Sequence, residues 1–209
     1  MAYLTLDPGW PPASQDNGIT VWRHDATGDQ FLVQDFDLVP NLPAALDDLA
    51  TLRRVITEQE AASLGTVIEL DLVTIGGQPA FTRLVKLPID TDHPDHPGQS
   101  FIASVTVPKA DASTMAMFRA QESQPTGVRE SVLLQQLMQQ GLSPTDWVLP
   151  HPYAPQVRTA RPFHRGDDPR YDAQFPDHAL SRARQWMRWV VGAASLDPAF
   201  AAKGSFVRG

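Results

Sequence analysis

The two glycines Gly76-Gly77 lie between two long segments that favour β structure, and they constrain the fold more than any other feature of the sequence. Residues 67–75 are rich in β-branched side chains and partly alternate, and residues 79–89 continue as a return strand. Glycine reaches the positive φ angles of tight hairpin turns without a steric penalty. The pattern therefore predicts an antiparallel hairpin in the middle of the chain.

Four further strands and three helices are predicted around this hairpin. The strands cover residues 19–24, 30–38, 101–107 and 113–122, and the helices cover 44–64, 128–140 and about 177–194. Apolar residues at helical spacing, followed by Gly65, indicate the first helix. Residues 111–121 also contain helix formers, so a helix there competes with the strand at 113–122. We prefer the strand because a turn cluster lies on each side of it.

The order of elements predicts an α+β fold. We expect a twisted antiparallel sheet of about six strands flanked by helices, then an extended Pro/aromatic C-terminal segment and a final helix. The predicted parts are a proline-rich lead-in (residues 1–16), a core domain (17–142) and a C-terminal extension packed on the core (143–209). Whether the extension packs on its own core or on a second subunit is left open.

This order of elements over residues 19–140 resembles the Mog1/PsbP-like fold, with Gly76-Gly77-Gln78-Pro79 at the central hairpin as the local support. Two further segments, 126–130 and 171–178, resemble parts of actinobacterial proteins of similar size that have no assigned function. The Mog1/PsbP-like resemblance implies a non-enzymatic binding or assembly module, because most members of that group are of this kind. A fold by itself does not establish a function.

The charge and composition argue against some classes of function and exclude others, and they leave a local basic patch open. The chain has 24 acidic and 17 basic residues, a formal net charge of −7, whereas binding to nucleic acid or anionic lipid needs a basic face. The absence of cysteine excludes disulfides, thiolate catalysis and cysteine-bound metals. No apolar run is long enough to cross a membrane, and the N-terminal residues lack a leader pattern. A cytoplasmic location without nucleic-acid or membrane partners is expected.

The segment from residue 147 to residue 191 combines prolines with three of the five tryptophans and two of the three tyrosines. Trp, Tyr and Arg are common at the energetic centres of protein interfaces, because they bury much area and still satisfy their polar ends. We therefore expect a protein-binding or assembly module, with a protein partner or a second copy of the chain as its ligand. The predicted interaction surface comprises Tyr153, Tyr171, Arg182, Trp186 and Trp189. Alternatively, the last helix packs on the sheet and leaves its arginines in water.

A second hypothesis is a small-ligand-binding protein or a hydrolase-type enzyme with a pocket between the sheet and the C-terminal segment. It would use His151, His164 or His178 with a carboxylate, since such pairs transfer protons. The carboxylates nearby in sequence are Asp167, Asp168, Asp172 and Asp177. There is no nucleophile elbow and no glycine-rich phosphate loop, so no catalytic residue and no cofactor is assigned.

Residues 92–97 contain two histidines, two aspartates and two prolines, and the histidines and aspartates could offer ligands to a divalent ion. No other part of the sequence supplies the remaining ligands. A polar loop is the preferred interpretation, and no metal is assigned.

Arg129 lies in the first turn of the predicted helix 128–140, where a positive charge is unfavourable beside the helix dipole. A cation in that position indicates a carboxylate partner. We predict a buried structural ion pair between Arg129 and Asp172, with Asp168 as the alternative partner, in preference to a contact with a ligand.

Overall fold

The computed structural model describes residues 2–90, 93 and 98–207. The strands are β1 (Leu4–Thr5), β2 (Ser14–Asp16), β3 (Ile19–Arg23), β4 (Gln30–Phe36), β5 (Thr66–Ile75), β6 (Gln78–Pro88), β7 (Gln99–Pro108), β8 (Ser113–Gln121) and β9 (Ser195–Leu196). Seven of them form one antiparallel sheet in the order β2-β3-β4-β8-β7-β6-β5, and β1 pairs with β9 in a small separate sheet.

The helices are α1 (Leu49–Ala62), α2 (Val128–Gln139), α3 (Ala179–Ala193) and the short α4 (Pro198–Ala201). The first helix was predicted to begin at residue 44 and begins five residues later. Its start is set by Asp48, whose carboxylate accepts the Thr51 N–H at 3.1 Å. His178 caps α3 in the same way, since its Nδ1 accepts the Leu180 N–H at 3.2 Å.

The predicted α+β fold with its antiparallel sheet is confirmed. All six predicted strands are present, and β2, which comes from the lead-in, is a seventh. Residues 113–121 form a strand despite their helix-forming composition. The reason is tertiary, because β8 is hydrogen-bonded to β4 on one side and to β7 on the other. A helix there would leave both neighbours with unpaired backbone groups.

The sheet is buried on both faces, and successive residues of β6 show how. Leu84 faces the main core beneath α3, whereas Val85 faces a second core beneath α1. This follows from the alternation of side chains along a strand. Helix α3 contributes an apolar stripe to the main core, from Leu180 to Val190, both at most 1 % exposed. The two covered faces explain why β6 carries buried apolar side chains on both of its sides.

The proline-rich segment after α2 covers the outer edge of β5. His151 Nε2 donates to the Val67 carbonyl at 2.7 Å, and the Tyr153 hydroxyl accepts the Leu70 N–H at 3.3 Å. From α1, Arg53 Nε donates to the Leu70 carbonyl at 2.8 Å. These contacts satisfy backbone groups that an edge strand otherwise exposes. These hydrogen bonds attach the segment to β5, and Tyr153 packs against the second core.

Candidate functional site: an aromatic cleft beside the last helix

A cleft of about 400 Å³ opens where α3, the start of β4 and the lead-in meet. Aromatic rings supply most of its wall. The lining residues are Pro8, Trp10, His24, Thr27, Asp29, Phe31, Phe118, Arg182, Gln185, Trp186 and Trp189. We call it the aromatic cleft.

Phe31 on β4 is the centre of the ring cluster. Trp22 on β3 stacks on it, with centroids 4.7 Å apart and planes 7° apart. Trp10 and Trp189 stand nearly perpendicular to the Phe31 ring, at 6.1 Å and 83° and at 6.2 Å and 73°. Trp186 is tilted by 49° at 6.3 Å. The edge-to-face contacts have the favourable geometry of aromatic pairs. The Phe31 ring is thus stacked on Trp22 and meets Trp10 and Trp189 edge to face.

The three tryptophans of the aromatic cleft differ in burial. Trp186 is 8 % exposed and stacks on Phe118 at 5.3 Å, so it belongs to the main core. Trp189 is partly buried at the margin of the same core. Trp10, on the lead-in, is 40 % exposed. The cleft therefore has a buried inner wall and an outer wall that solvent reaches.

An ion pair neutralises the rim of the aromatic cleft. Arg182 donates from Nε to Asp29 Oδ2 at 2.8 Å and from Nη2 to Asp29 Oδ1 at 2.9 Å. Its remaining contacts are with the backbone carbonyls of Asp177 and Gln121. This bidentate geometry leaves no free charge on either partner.

Three of the five residues predicted as an interaction surface, Arg182, Trp186 and Trp189, meet at the aromatic cleft. The other two do not. Tyr153 covers the β5 edge, and Tyr171 lines a different cleft. Sequence reasoning missed Trp10, Phe31 and Asp29, since nothing in a proline-rich lead-in or in a strand indicates contact with a distant helix.

A buried network of charges holds the C-terminal segment to α2 and α3. Arg129 Nη2 lies 3.0 Å from Asp172 Oδ1, and Arg184 Nη1 lies 2.8 Å from the same oxygen. Arg184 also donates to Glu69 on β5 at 2.5 Å. Burial lowers the pKa of Arg129 and raises that of Glu69. Arg129 also donates to the Gly166 carbonyl and to the Ser181 hydroxyl, and its side chain has no exposed surface.

Beside this network, Lys86 on β6 pairs with Asp167, with 2.6 Å between Nζ and Oδ2 and both side chains 1 % exposed. The same carboxylate oxygen accepts the His164 N–H at 2.8 Å. His164 Nδ1 lies 3.6 Å from it, and the ring stacks on Trp147. Burial lowers the pKa of His164 to about 4, so its imidazole is neutral near pH 7.

His164 and Asp167 line a second cleft, of about 600 Å³, between β5, the C-terminal segment and α3. This is the place predicted for a His/Asp pocket. The other two candidate histidines lie elsewhere, His151 on the β5 edge and His178 at the start of α3. No Ser, Thr or Lys is among the described residues that line the second cleft. A neutral imidazole there could accept or donate a hydrogen bond.

Within the described residues, the one group with metal-ligand geometry is Glu122, Glu130 and His178, whose ligand atoms lie within 4.8 Å of one another. Burial and the neighbouring Glu122 raise the pKa of Glu130. His178 Nδ1 accepts the Leu180 N–H, so in the neutral ring Nε2 carries the proton and donates to Glu122 at 3.0 Å. That tautomer opposes coordination of a metal by Nε2. The metal candidate at residues 92–97 lies outside the described residues except for His93.

No protein-family model and no curated protein matches the chain. Among solved structures, it is similar to the Ran-binding protein Mog1p of Saccharomyces cerevisiae, with 12 % identity, a TM-score of 0.46, and 93 % of this chain and 90 % of that one covered. A Mog1 point variant matches with 13 % identity, a TM-score of 0.46 and coverage of 94 % and 92 %. A Pseudomonas aeruginosa protein of unknown function, PA94, matches with 15 % identity, a TM-score of 0.36 and coverage of 68 % and 98 %.

These likenesses concern the fold alone, in agreement with the Mog1/PsbP-like resemblance of the sequence. Among the described residues, no helix is both long and apolar enough to cross a membrane.

Proposed function

We propose that this chain is a cytoplasmic bacterial protein that binds another protein by accepting an uncharged, apolar side chain in the aromatic cleft. One observation carries the proposal. Three tryptophan rings lie 6.1 to 6.3 Å from the Phe31 ring and border a cleft that opens to solvent. Such a concentration of rings offers a large apolar contact area with little side-chain entropy to lose on binding.

The rim of the cleft favours a neutral occupant. Because Asp29 and Arg182 satisfy each other, an ionised side chain would lose its hydration without gaining a partner. An apolar side chain gains about 25 cal/mol for each Å² of apolar surface removed from water, or about 1.5–3 kcal/mol for a Leu or Phe. The charge pattern thus supports an aliphatic or aromatic anchor.

The exposed position of Trp10 favours a protein as the binding partner. Trp10 stands on the lead-in at the mouth of the cleft with 40 % of its surface exposed, so a segment lying across the mouth would cover it. Truncation of a tryptophan at the centre of an interface commonly costs 2 kcal/mol or more. Trp10 is therefore the residue whose removal should weaken binding most without damage to the core.

The test compares Trp10→Ala with Leu72→Ala, a matched control on β5 that is 42 % exposed and lies outside the cleft. A protein captured by the wild-type chain from a lysate of the source organism is identified, purified and titrated by calorimetry. We expect Trp10→Ala to raise Kd about 30-fold, the equivalent of about 2 kcal/mol, and Leu72→Ala to leave it unchanged. Trp186 is unsuitable for this test because its truncation would disturb the core.

Equal Kd values for wild type and Trp10→Ala would show that the captured protein binds elsewhere, and the proposal would then be wrong. Self-association is the other outcome that the sequence predicted. Sedimentation velocity distinguishes it, because a second copy in the cleft would make the wild-type chain dimerise with concentration and would leave Trp10→Ala monomeric.

A further inference from the structure

The second cleft has the size and the mixed wall of a small-molecule site. Its volume of about 600 Å³ is within the range of about 300–1,000 Å³ usual for ligand pockets. One wall is apolar. It is formed by Ile68, Leu137, Leu142, Leu149 and Phe163. Its other lining residues include charged side chains from β5, the C-terminal segment and α3.

The carboxylates at the second cleft already have basic partners. The pairs are Glu69 with Arg184, Asp71 with Arg53, Asp167 with Lys86 and Asp168 with Arg170. Two other lining arginines form no ion pair with a carboxylate among the described residues. Arg188 has no hydrogen-bond or ion-pair partner among the described residues, and Arg165 donates only to the Asp146 carbonyl, at 2.8 Å. When Arg53 and Lys86, which pair with two of these carboxylates, are counted with the lining residues, the cleft has six basic and four acidic side chains, although the whole chain carries −7.

We propose that the second cleft binds a free organic anion with an apolar chain, its carboxylate or phosphate facing Arg165 and Arg188 and its chain lying on the apolar wall. Guanidinium groups bind both anions well, because their planar donors match two oxygens at once. His164 also lines the second cleft and can add one hydrogen bond without adding charge. This binding site is separate from the aromatic cleft, and neither proposal depends on the other.

The experiment titrates the full chain by calorimetry with octanoate, hexanoate, acetate, octanol and octylammonium. We expect octanoate to bind most tightly, with about fourfold weaker binding for each methylene removed from a buried chain. Arg188→Gln is expected to weaken octanoate binding about tenfold, which corresponds to one charge-assisted hydrogen bond. Arg54→Gln is the matched control, since Arg54 is an exposed arginine on α1 that does not line the second cleft.

Several results would overturn the proposal: octanol binding as tightly as octanoate, acetate binding as tightly as octanoate, or unchanged affinity in a folded Arg188→Gln. Trp10→Ala must also leave octanoate binding intact, because its loss would place the ligand in the aromatic cleft. Phosphatidylglycerol vesicles distinguish a free anion from a lipid headgroup. Co-sedimentation with vesicles in the absence of octanoate binding would refute a free ligand.

Discussion

The buried pair of Lys86 and Asp167 provides the sharpest test of how the C-terminal segment is held on the sheet. Lys86→Met keeps the length of the side chain and removes its charge. Asp167 would then be a carboxylate 2 % exposed, with the His164 N–H as its remaining donor. Removing one partner of a buried ion pair typically costs about 3–5 kcal/mol, because the other charge is left uncompensated.

In a chain of 209 residues this loss corresponds to a decrease in Tm of about 6–20 °C, at about 2–4 °C for each kcal/mol.

The pKa of Asp167 depends on burial and on its neighbours. Burial raises it, but the Lys86 ammonium and the imidazole and N–H of His164 outweigh burial and hold it below its usual range. Wild-type stability should therefore decrease as pH falls below about 4, and in Lys86→Met this pH-dependent contribution should be lost.

The free energy of unfolding is measured by guanidinium titration, followed by tryptophan fluorescence and circular dichroism together. Lys203→Met is the control, since Lys203 pairs with Asp111 at the surface, with side chains 30 % and 64 % exposed, and should change stability by about 1 kcal/mol or less. The double variant Lys86→Met/Asp167→Asn should lose less free energy of unfolding than the two single variants lose in sum. A loss below about 1 kcal/mol for Lys86→Met, or strict additivity, would refute this reasoning.

Two further predictions concern the same region and the last helix. A Cβ on Gly166 would lie 2.9 Å from Cη2 of Trp147, so Gly166→Ala should lower the free energy of unfolding by about 1–3 kcal/mol. Gly192 lies within α3, and a Cβ there would have no atom within 4 Å, so Gly192→Ala should raise the free energy of unfolding by up to about 1 kcal/mol. Because the pKa of His164 is lowered to about 4, unfolding should become easier as pH falls from about 6.5 to 4, by about 3 kcal/mol at the lower limit. Thermal unfolding against pH should show a weaker decline in His164→Gln than in the control His24→Gln, and equal declines would contradict it.

The residues of the aromatic cleft could be predicted from the sequence only in part. The composition of the last helix indicated Arg182, Trp186 and Trp189 as a group, because Trp and Arg near each other on one helix is a local property. The partners of these residues are distant. Asp29 is 153 positions from Arg182, and only the packing of α3 on β8 and its neighbour β4 brings the two together. No periodicity in the sequence contains this information.

The Pro/aromatic segment was predicted to be an interaction surface, and parts of it also make contacts with the core of this chain. Tyr153 and His151 satisfy backbone groups of β5, a role that depends on which strand lies at the sheet edge. Strand order is a tertiary property. The lead-in is a similar case, since Leu4 and Leu6 are 2 % and 7 % exposed in the main core although the segment has the composition of a linker.

The sequence by itself determined the β5–β6 hairpin, helices α2 and α3 to within two residues, and the α+β class, because these depend on local periodicity, turn residues and caps. Tertiary structure decided that β8 is a strand, that His164 and Asp167 line one cleft, and that Trp10 stands beside Trp189 on the ring of Phe31. Those outcomes depend on the order β2-β3-β4-β8-β7-β6-β5, in which β4 and β8 are neighbours although α1 and three strands separate them along the chain. Local patterns encode which residues form an element, and only the packing of all elements decides which residues meet.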